Sequence, residues 1–145
     1  KAVVIGIFGE SCTGKSTLAQ RLHEELGGTI YTGKDYLRLH KQESMAREAF
    51  RTLLRETDAP VIYVMTEKEL LSILPENALR VLVTAELAEI KARFAARMGG
   101  TLPPPVAAML EKKHGMFDGE KCDYHWNSSA ESLEAACAAI LRKTI

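Results

Sequence analysis

The sequence predicts an α/β fold in which helices cover both faces of a five-stranded parallel sheet. Short β-branched apolar runs alternate with amphipathic helical segments along the whole chain, and this alternation is typical of parallel sheets with right-handed crossovers. A glycine-rich loop lies between the first apolar run and the first helical segment. The 145 residues, of which 46% are hydrophobic, fit one domain with its own core.

The glycine-rich loop carries the complete pattern G-x-x-x-x-G-K-S from Gly9 to Ser16. It follows a strand-like run at Ala2–Phe8 and precedes helical spacing at Ser16–Leu26, which is the context that a phosphate-binding P-loop needs. Glycine permits close backbone approach, and the loop N–H groups and helix N-terminus attract anions. In this pattern Lys15 contacts the β- and γ-phosphates, and the Ser16 hydroxyl ligates Mg²⁺. The pattern therefore predicts the P-loop NTPase fold.

The pattern predicts that the loop binds the phosphates of a nucleotide together with Mg²⁺. The residues expected to bind the nucleotide form one continuous stretch of the loop and the first helical turn: Gly9, Ser11, Cys12, Thr13, Gly14, Lys15, Ser16 and Thr17.

The next elements are predicted from turns and periodicity. Gly27-Gly28 ends the first helix, and Thr29–Tyr31 reads as a short second strand. A helical piece at Tyr36–His40 precedes a helix at Glu43–Arg55, whose apolar residues share one face. Val61–Met65 is an unbroken apolar run, typical of a buried strand.

The second half of the chain continues the alternation. Two capping boxes, Thr66-x-x-Glu69 and Ser128-x-x-Glu131, are expected to open helices. The remaining predicted elements are a short helix to about Leu74, a strand at Leu79–Val83, a helix at Leu87–Met98, a helix at Val106–His114 with Pro105 as its first residue, a strand at Tyr124–Trp126 and a helix at Leu133–Leu141.

Composition narrows the possible partners. Lys plus Arg and Asp plus Glu are 19 each, a balance that argues against nucleic-acid or membrane-surface binding. No apolar run reaches the length of a membrane span, and no signal-peptide pattern is present. The three cysteines are scattered and are expected to be reduced thiols in the cytoplasm. The expected partner is a small-molecule phosphate acceptor, and the oligomeric state is open.

The motifs resemble those of the P-loop nucleoside monophosphate kinases, and among them the cytidylate kinase-like proteins. The segment Thr32–Arg38 is similar to the T-G-x-x-Y-R element of that group, with one additional residue. Arg93 and Arg97 resemble its lid arginines, and Asp123-Tyr124 resembles its ending. No N-K-x-D motif of GTPases and no L-S-G-G-Q motif of ABC proteins occurs. The resemblance implies an ATP-dependent kinase acting on a nucleoside monophosphate.

The resemblance also implies a site layout within a single kinase domain spanning 1–145. The acceptor would bind on a segment at about 32–58, under a short lid at about 97–105. The catalytic candidates are Lys15, Asp35, Arg93 and Arg97, and the substrate-binding candidates are Thr32, Gly33, Asp35, Arg38, Arg47 and Arg51.

Two alternatives remain open. A monophosphate acceptor needs arginines, whereas a hydroxyl acceptor needs a carboxylate to take its proton, and Asp35 is the candidate for that base. The chain departs from the group after Met65, where Thr66-Glu67-Lys68 replaces an acidic or D-G-R element. Glu67 either assists Mg²⁺ through water or is an ordinary first-turn helix carboxylate.

The departure also leaves open a regulatory domain that binds a nucleotide without catalysis.

Overall fold

Five parallel strands form a single sheet in this computed structural model, which describes residues 1–145. The strands are β1 (Val4–Phe8), β2 (Thr29–Thr32), β3 (Val61–Met65), β4 (Leu79–Thr84) and β5 (Tyr124–Asn127). Their order across the sheet is β2-β3-β1-β4-β5, and every neighbouring pair is parallel. All five carboxyl ends therefore meet at one edge, with the end of β1 at its centre.

Five α-helices and two short 3₁₀ helices connect the strands. The α-helices are α1 (Lys15–Leu26), α2 (Glu43–Glu56), α3 (Leu87–Arg97), α4 (Pro104–Lys113) and α5 (Leu133–Arg142). The 3₁₀ helices are Asp35–Leu39 and Lys68–Ile73. No helix combines the length and apolarity that crossing a membrane would require.

The helices cover both faces of the sheet. On one face α1 and α5 pack through Leu22 and Ile140 against strand residues such as Val83. On the other face Phe50 of α2 lies 5.0 Å from the ring centre of Tyr31 and 4.9 Å from that of Tyr63. The α/β P-loop architecture expected from the alternation and the glycine-rich loop is confirmed.

Neither capping box forms. The segment after β3 becomes a 3₁₀ helix that begins at Lys68, and no side chain caps it. Before α5 the cap is Ser132, whose Oγ accepts a hydrogen bond from the N–H of Ala135 at 3.1 Å. Ser128 cannot serve as that cap because its hydroxyl donates to the carbonyl of Thr13 at 2.5 Å. The fourth helix also begins one residue earlier than expected, at Pro104.

Candidate functional site

The loop after β1 takes a backbone conformation that depends on glycine. Gly9 has φ 158°, and a β-carbon there would lie only 2.1 Å from the carbonyl oxygen of Val83 in β4. Gly14 has φ 113° immediately before α1. Between them Cys12 has φ 63°, and it is the only non-glycine residue of the chain with positive φ. Such left-handed backbone in a non-glycine residue is held by its surroundings and is frequent at ligand sites.

Lys15 is the first residue of α1, and only 6% of it is exposed. Its Nζ donates a hydrogen bond to the carbonyl of Glu10 at 2.6 Å. Burial, with a smaller contribution from Arg97, lowers the pKa of Lys15 to about 8, although Cys12 and Glu10 partly oppose the shift. An anion brought to the loop would relieve this cost of burying the ammonium group.

Side chains inside the loop hold it in place and do not face the opening. Thr13 is fully buried, and its hydroxyl donates to the carbonyl of Glu10 at 2.9 Å. The Cys12 side chain packs with Ile90 of α3 and Leu110 of α4. These two residues can therefore meet a nucleotide only through their backbone. The sequence did not indicate that the carboxylate at the second position of the loop would also hold the loop in place.

That carboxylate, Glu10, joins the loop to the end of α4. Its Oε2 accepts from the N–H of Gly115 at 2.9 Å, and its Oε1 lies 3.0 Å from Nδ1 of His114. The loop is thereby fixed between the sheet and α4.

Three hollows surround the loop. The first, which we name the α5-side hollow, has a volume of about 530 Å³ and lies between the loop, the end of α3 and the segment joining β5 to α5. Its lining is Cys12, Thr13, Gly14, Thr17, Arg93, Arg97, Trp126, Ser128, Glu131, Ser132 and Leu133.

Arg93 forms part of one wall of this hollow. Its Nη1 donates to the carbonyl of Cys12 at 2.8 Å, and its Nη2 pairs with Glu89 at 2.7 Å. The guanidinium thus ties α3 to the loop as well as facing the hollow.

The second hollow, the P-loop groove, is narrower at about 140 Å³. It brings together several predicted phosphate-binding residues with the end of α3 and the ends of β2 and β3. Its lining is Ser11, Cys12, Gly14, Lys15, Ser16, Thr17, Thr32, Val64, Thr66 and Arg97. Two cations, Lys15 and Arg97, therefore face a groove that otherwise offers hydroxyl groups.

The third, the α4-side hollow, has a volume of about 310 Å³ and lies between the segment after β3 and α4. Its lining is Glu10, Ser11, Thr66, Glu67, Lys68, Glu69, Met109, Leu110, Lys113 and Met116.

The residues expected to hold the acceptor lie in two different settings. Thr32 borders the P-loop groove, and its N–H donates to Oδ2 of Asp35 at 2.9 Å. The carbonyl of Gly33 accepts a hydrogen bond from the hydroxyl of Tyr63 at 2.7 Å, which fixes the turn. Arg38 is 77% exposed and lies 3.9 Å from Asp35.

Arg47 and Arg51 have partners in the protein. Nη2 of Arg47 donates to the carbonyl of Glu69 at 3.1 Å and to Oγ of Ser72 at 2.5 Å. Nη1 of Arg51 donates to the carbonyl of Ser72 at 2.7 Å. Both guanidinium groups hold the 3₁₀ helix after β3 against α2. Their role in binding substrate stays a prediction.

Trp126 and Ser128 line the α5-side hollow, although the sequence did not predict them as site residues. Ser128 bonds to Thr13, which is 115 positions away in the chain. Both residues lie at the carboxyl end of β5, or just after it. In a parallel sheet that edge is where ligands bind, so the position of the last strand was the available indication.

The similarity of this chain to known proteins is limited to the fold. No protein-family model matches the chain, and no curated protein matches its sequence. Among solved structures, the tunicamycin resistance protein of Deinococcus radiodurans aligns with a TM-score of 0.71 and 18% identity, covering 99% of this chain and 95% of its own.

Two further structures align over nearly their full length. YorR of Bacillus subtilis, solved with phosphorylated GDP, has a TM-score of 0.67 and 20% identity, covering 97% of this chain and 95% of its own. Shikimate kinase of Acinetobacter baumannii, solved with shikimate, has a TM-score of 0.67 and 16% identity, covering 99% and 93%. Together with the five-stranded parallel sheet and the loop after β1, these neighbours show that the chain has the α/β P-loop NTPase fold.

Proposed function

We propose that this protein is an ATP-dependent phosphotransferase that moves the γ-phosphoryl group to a small-molecule acceptor. The proposal rests on one observation. Two positively charged side chains, Lys15 and Arg97, line the same narrow groove at the glycine-rich loop. Phosphoryl transfer requires mainly positioning and neutralisation of charge on the transferred group. A buried lysine and an arginine on the same groove supply both.

The donor is proposed to occupy two connected spaces. Its phosphates take the P-loop groove, and its nucleoside takes the α5-side hollow beside Trp126 and Arg93. Cys12, Gly14, Thr17 and Arg97 line both spaces, so a single ligand can span them. The 530 Å³ of the larger space lies within the usual range for small-molecule sites.

The residues present suit an Mg²⁺ ion that arrives with the nucleotide. Ser16 lines the groove with Thr17 and Thr66, and no group of three His, Cys, Asp or Glu side chains could hold an ion by itself. Mg²⁺ commonly binds one or two protein oxygens, substrate phosphates and water. Ser16 would hold the ion, and the ion would neutralise charge on the β- and γ-phosphates.

A nucleoside monophosphate acceptor would require arginine side chains that are free to contact its phosphate. The resemblance to monophosphate kinases supports it, as does Arg38, which is exposed beside the turn after β2. A hydroxyl acceptor is supported by carboxylates near the groove, with Asp35 as one candidate base. The two neighbours solved with phosphorylated GDP and with shikimate bind different classes of ligand, so this chain's own side chains must distinguish between the classes.

A lid over the phosphates at about 97–105 is part of the proposal. The connection between α3 and α4 contains Gly99 and Gly100, both with positive φ and with open space around them. Closure of this connection would bring Arg97 nearer the transferred group and exclude water.

Binding of ATP to the wild-type protein and to a Lys15→Ala variant tests the donor half. The wild type should bind Mg-ATP, and the variant should lose most of that affinity while keeping its fold by circular dichroism. Equal affinity would show that the P-loop is not the nucleotide site. Binding without turnover on any acceptor would favour the regulatory alternative.

A further inference from the structure

We infer that the acceptor binds in the α4-side hollow, that it is a polyhydroxylated molecule without a phosphate group, and that Glu67 takes the proton of the attacking hydroxyl. The inference rests on the proposed phosphotransferase function, because it assigns the second substrate of that reaction.

The three hollows lie next to one another around the loop, because the P-loop groove shares lining residues with each of the other two. The P-loop groove shares Gly14 and Arg97 with the α5-side hollow at one end. At its other end it shares Ser11 and Thr66 with the α4-side hollow. A donor with its nucleoside at the first end presents its terminal phosphate toward the second. The α4-side hollow is therefore where an acceptor would meet that phosphate.

The charge of this hollow does not suit a monophosphate. A phosphate dianion is bound best by the paired N–H groups of arginine, and no arginine lines this space. One of its two lysines, Lys68, is paired with Glu120 at 3.4 Å. Three carboxylates, Glu10, Glu67 and Glu69, line the same space beside the two lysines and would repel a dianion.

The arginines that could have bound an acceptor phosphate contact other parts of the protein instead. Arg47 and Arg51 bond to the backbone and hydroxyl of residues 69 and 72. Moving Arg51 toward a substrate would break its hydrogen bond to the carbonyl of Ser72, and moving Arg47 would break both of its hydrogen bonds to these residues. The carboxylates and the apolar floor formed by Met109, Leu110 and Met116 instead fit a ring or chain bearing hydroxyl groups.

Glu67 is the carboxylate best placed to act. It lies two residues beyond β3, next to Thr66, the residue that borders both the groove and the hollow. Its side chain is 45% exposed, and Lys34 orients it from 3.8 Å. Asp35, by contrast, lines none of the three hollows, and one of its oxygens is occupied by the N–H of Thr32.

The proposed step balances without another reactant. A hydroxyl oxygen of the acceptor forms a bond to the γ-phosphorus, and the bond from that phosphorus to the β–γ bridging oxygen breaks. ADP leaves with the electron pair of that bond. The hydroxyl proton passes to the carboxylate of Glu67 and then to solvent.

Two panels of acceptors test the class. The first holds free sugars and polyols such as glucose, myo-inositol and glycerol, and the second holds AMP, CMP, GMP and UMP. The probe is Mg-ATP labelled at the γ-phosphorus, and the readout is label on the organic acceptor. Transfer should occur to members of the first panel. Transfer to a monophosphate in preference would overturn the inference and leave the kinase function standing, whereas transfer to neither panel would overturn both.

Two variants test the site with the acceptor that the panels identify. Glu67→Gln should lower kcat by about 100-fold or more with an unchanged KM for ATP, while the exposed Glu24→Gln control keeps the wild-type rate. Met109→Trp should fill the hollow and raise KM for the acceptor without changing ATP binding, whereas Ile145→Trp at the exposed C-terminus should have no effect. A wild-type rate in Glu67→Gln, or recovery of that variant at raised Mg²⁺, would show that Glu67 is not the proton acceptor.

Discussion

Lys15 combines a positive charge with nearly complete burial. The loop that encloses it returns only one short hydrogen bond, to the carbonyl of Glu10. Its pKa near 8 lies about 2.5 units below the ordinary value of 10.5, which corresponds to about 3 kcal/mol of unfavourable burial. Strain and desolvation of this kind are typical of sites that bind a ligand of opposite charge.

Replacing this lysine should therefore stabilise the ligand-free protein. Lys15→Met removes the buried charge and loses a hydrogen bond worth about 1 kcal/mol, so the free energy of unfolding at pH 7 should rise by about 2 kcal/mol. Chemical denaturation of the two proteins measures this. The same variant should fail to bind ATP. A destabilised variant would mean that the burial of Lys15 carries little cost.

The effect of pH follows from the same group. Because its pKa in the folded protein lies below that in the unfolded chain, Lys15 destabilises the fold below pH 8, and this penalty disappears as the pH rises from about 8 to 10.5. Phosphate binding needs the protonated form. The affinity for ATP should consequently fall above pH 8, by up to about tenfold per pH unit. Titration calorimetry across pH 7 to about 9.5 checks this, and an affinity that stays flat would contradict the role of Lys15.

At the scale of elements, the β1–loop–α1 unit was predictable and the contacts that support it were not. The glycine spacing, the apolar run and the helical periodicity all lie within the first 26 residues, so local sequence specifies them. β3 was predicted with its observed bounds for a similar reason, because its five residues are buried and apolar. The predicted cap at Ser128 was wrong because its hydroxyl bonds to Thr13 in the loop after β1. The strand order, which local sequence does not specify, brings these two residues together.

Gly9→Ala tests the packing of this unit. A β-carbon 2.1 Å from the carbonyl of Val83 forces backbone to move against backbone, and we expect a loss of about 3 kcal/mol or more together with loss of ATP binding. Gly27→Ala is the matched control, since it also has positive φ but no atom within 4 Å. It should cost only about 1–2 kcal/mol and leave ATP binding intact. Equal effects of the two substitutions on ATP binding would contradict the close approach at Gly9.

At the scale of the whole molecule, the strand order brings five separate segments to one edge of the sheet. The loop after β1, the segment after β3, the ends of α3 and α4, and the residues after β5 all border the three hollows. The sequence could indicate that parallel strands share such an edge. It could not indicate that Arg47 and Arg51 would be used to hold a 3₁₀ helix, because their partners at residues 69 and 72 come together only through tertiary packing.

Trp126 offers a direct report on this arrangement. It is the single tryptophan of the chain, it is buried at the carboxyl end of β5, and its indole N–H donates to the carbonyl of Glu131 at 2.9 Å. It also lines the α5-side hollow. Addition of ATP should change its emission with a saturating dependence on concentration, while a free polyol without nucleotide should not. An emission unchanged at saturating ATP would place the nucleoside elsewhere.

The fate of the γ-phosphoryl group is the most direct test of the central claim. Purified protein would be incubated with Mg-ATP labelled at the γ-phosphorus and a mixture of small metabolites, with Lys15→Ala in parallel. We predict that label appears on an organic acceptor with the wild-type protein and not with the variant. Label released only as inorganic phosphate, label retained on ATP, or equal transfer by Lys15→Ala would contradict a phosphotransferase built on this loop.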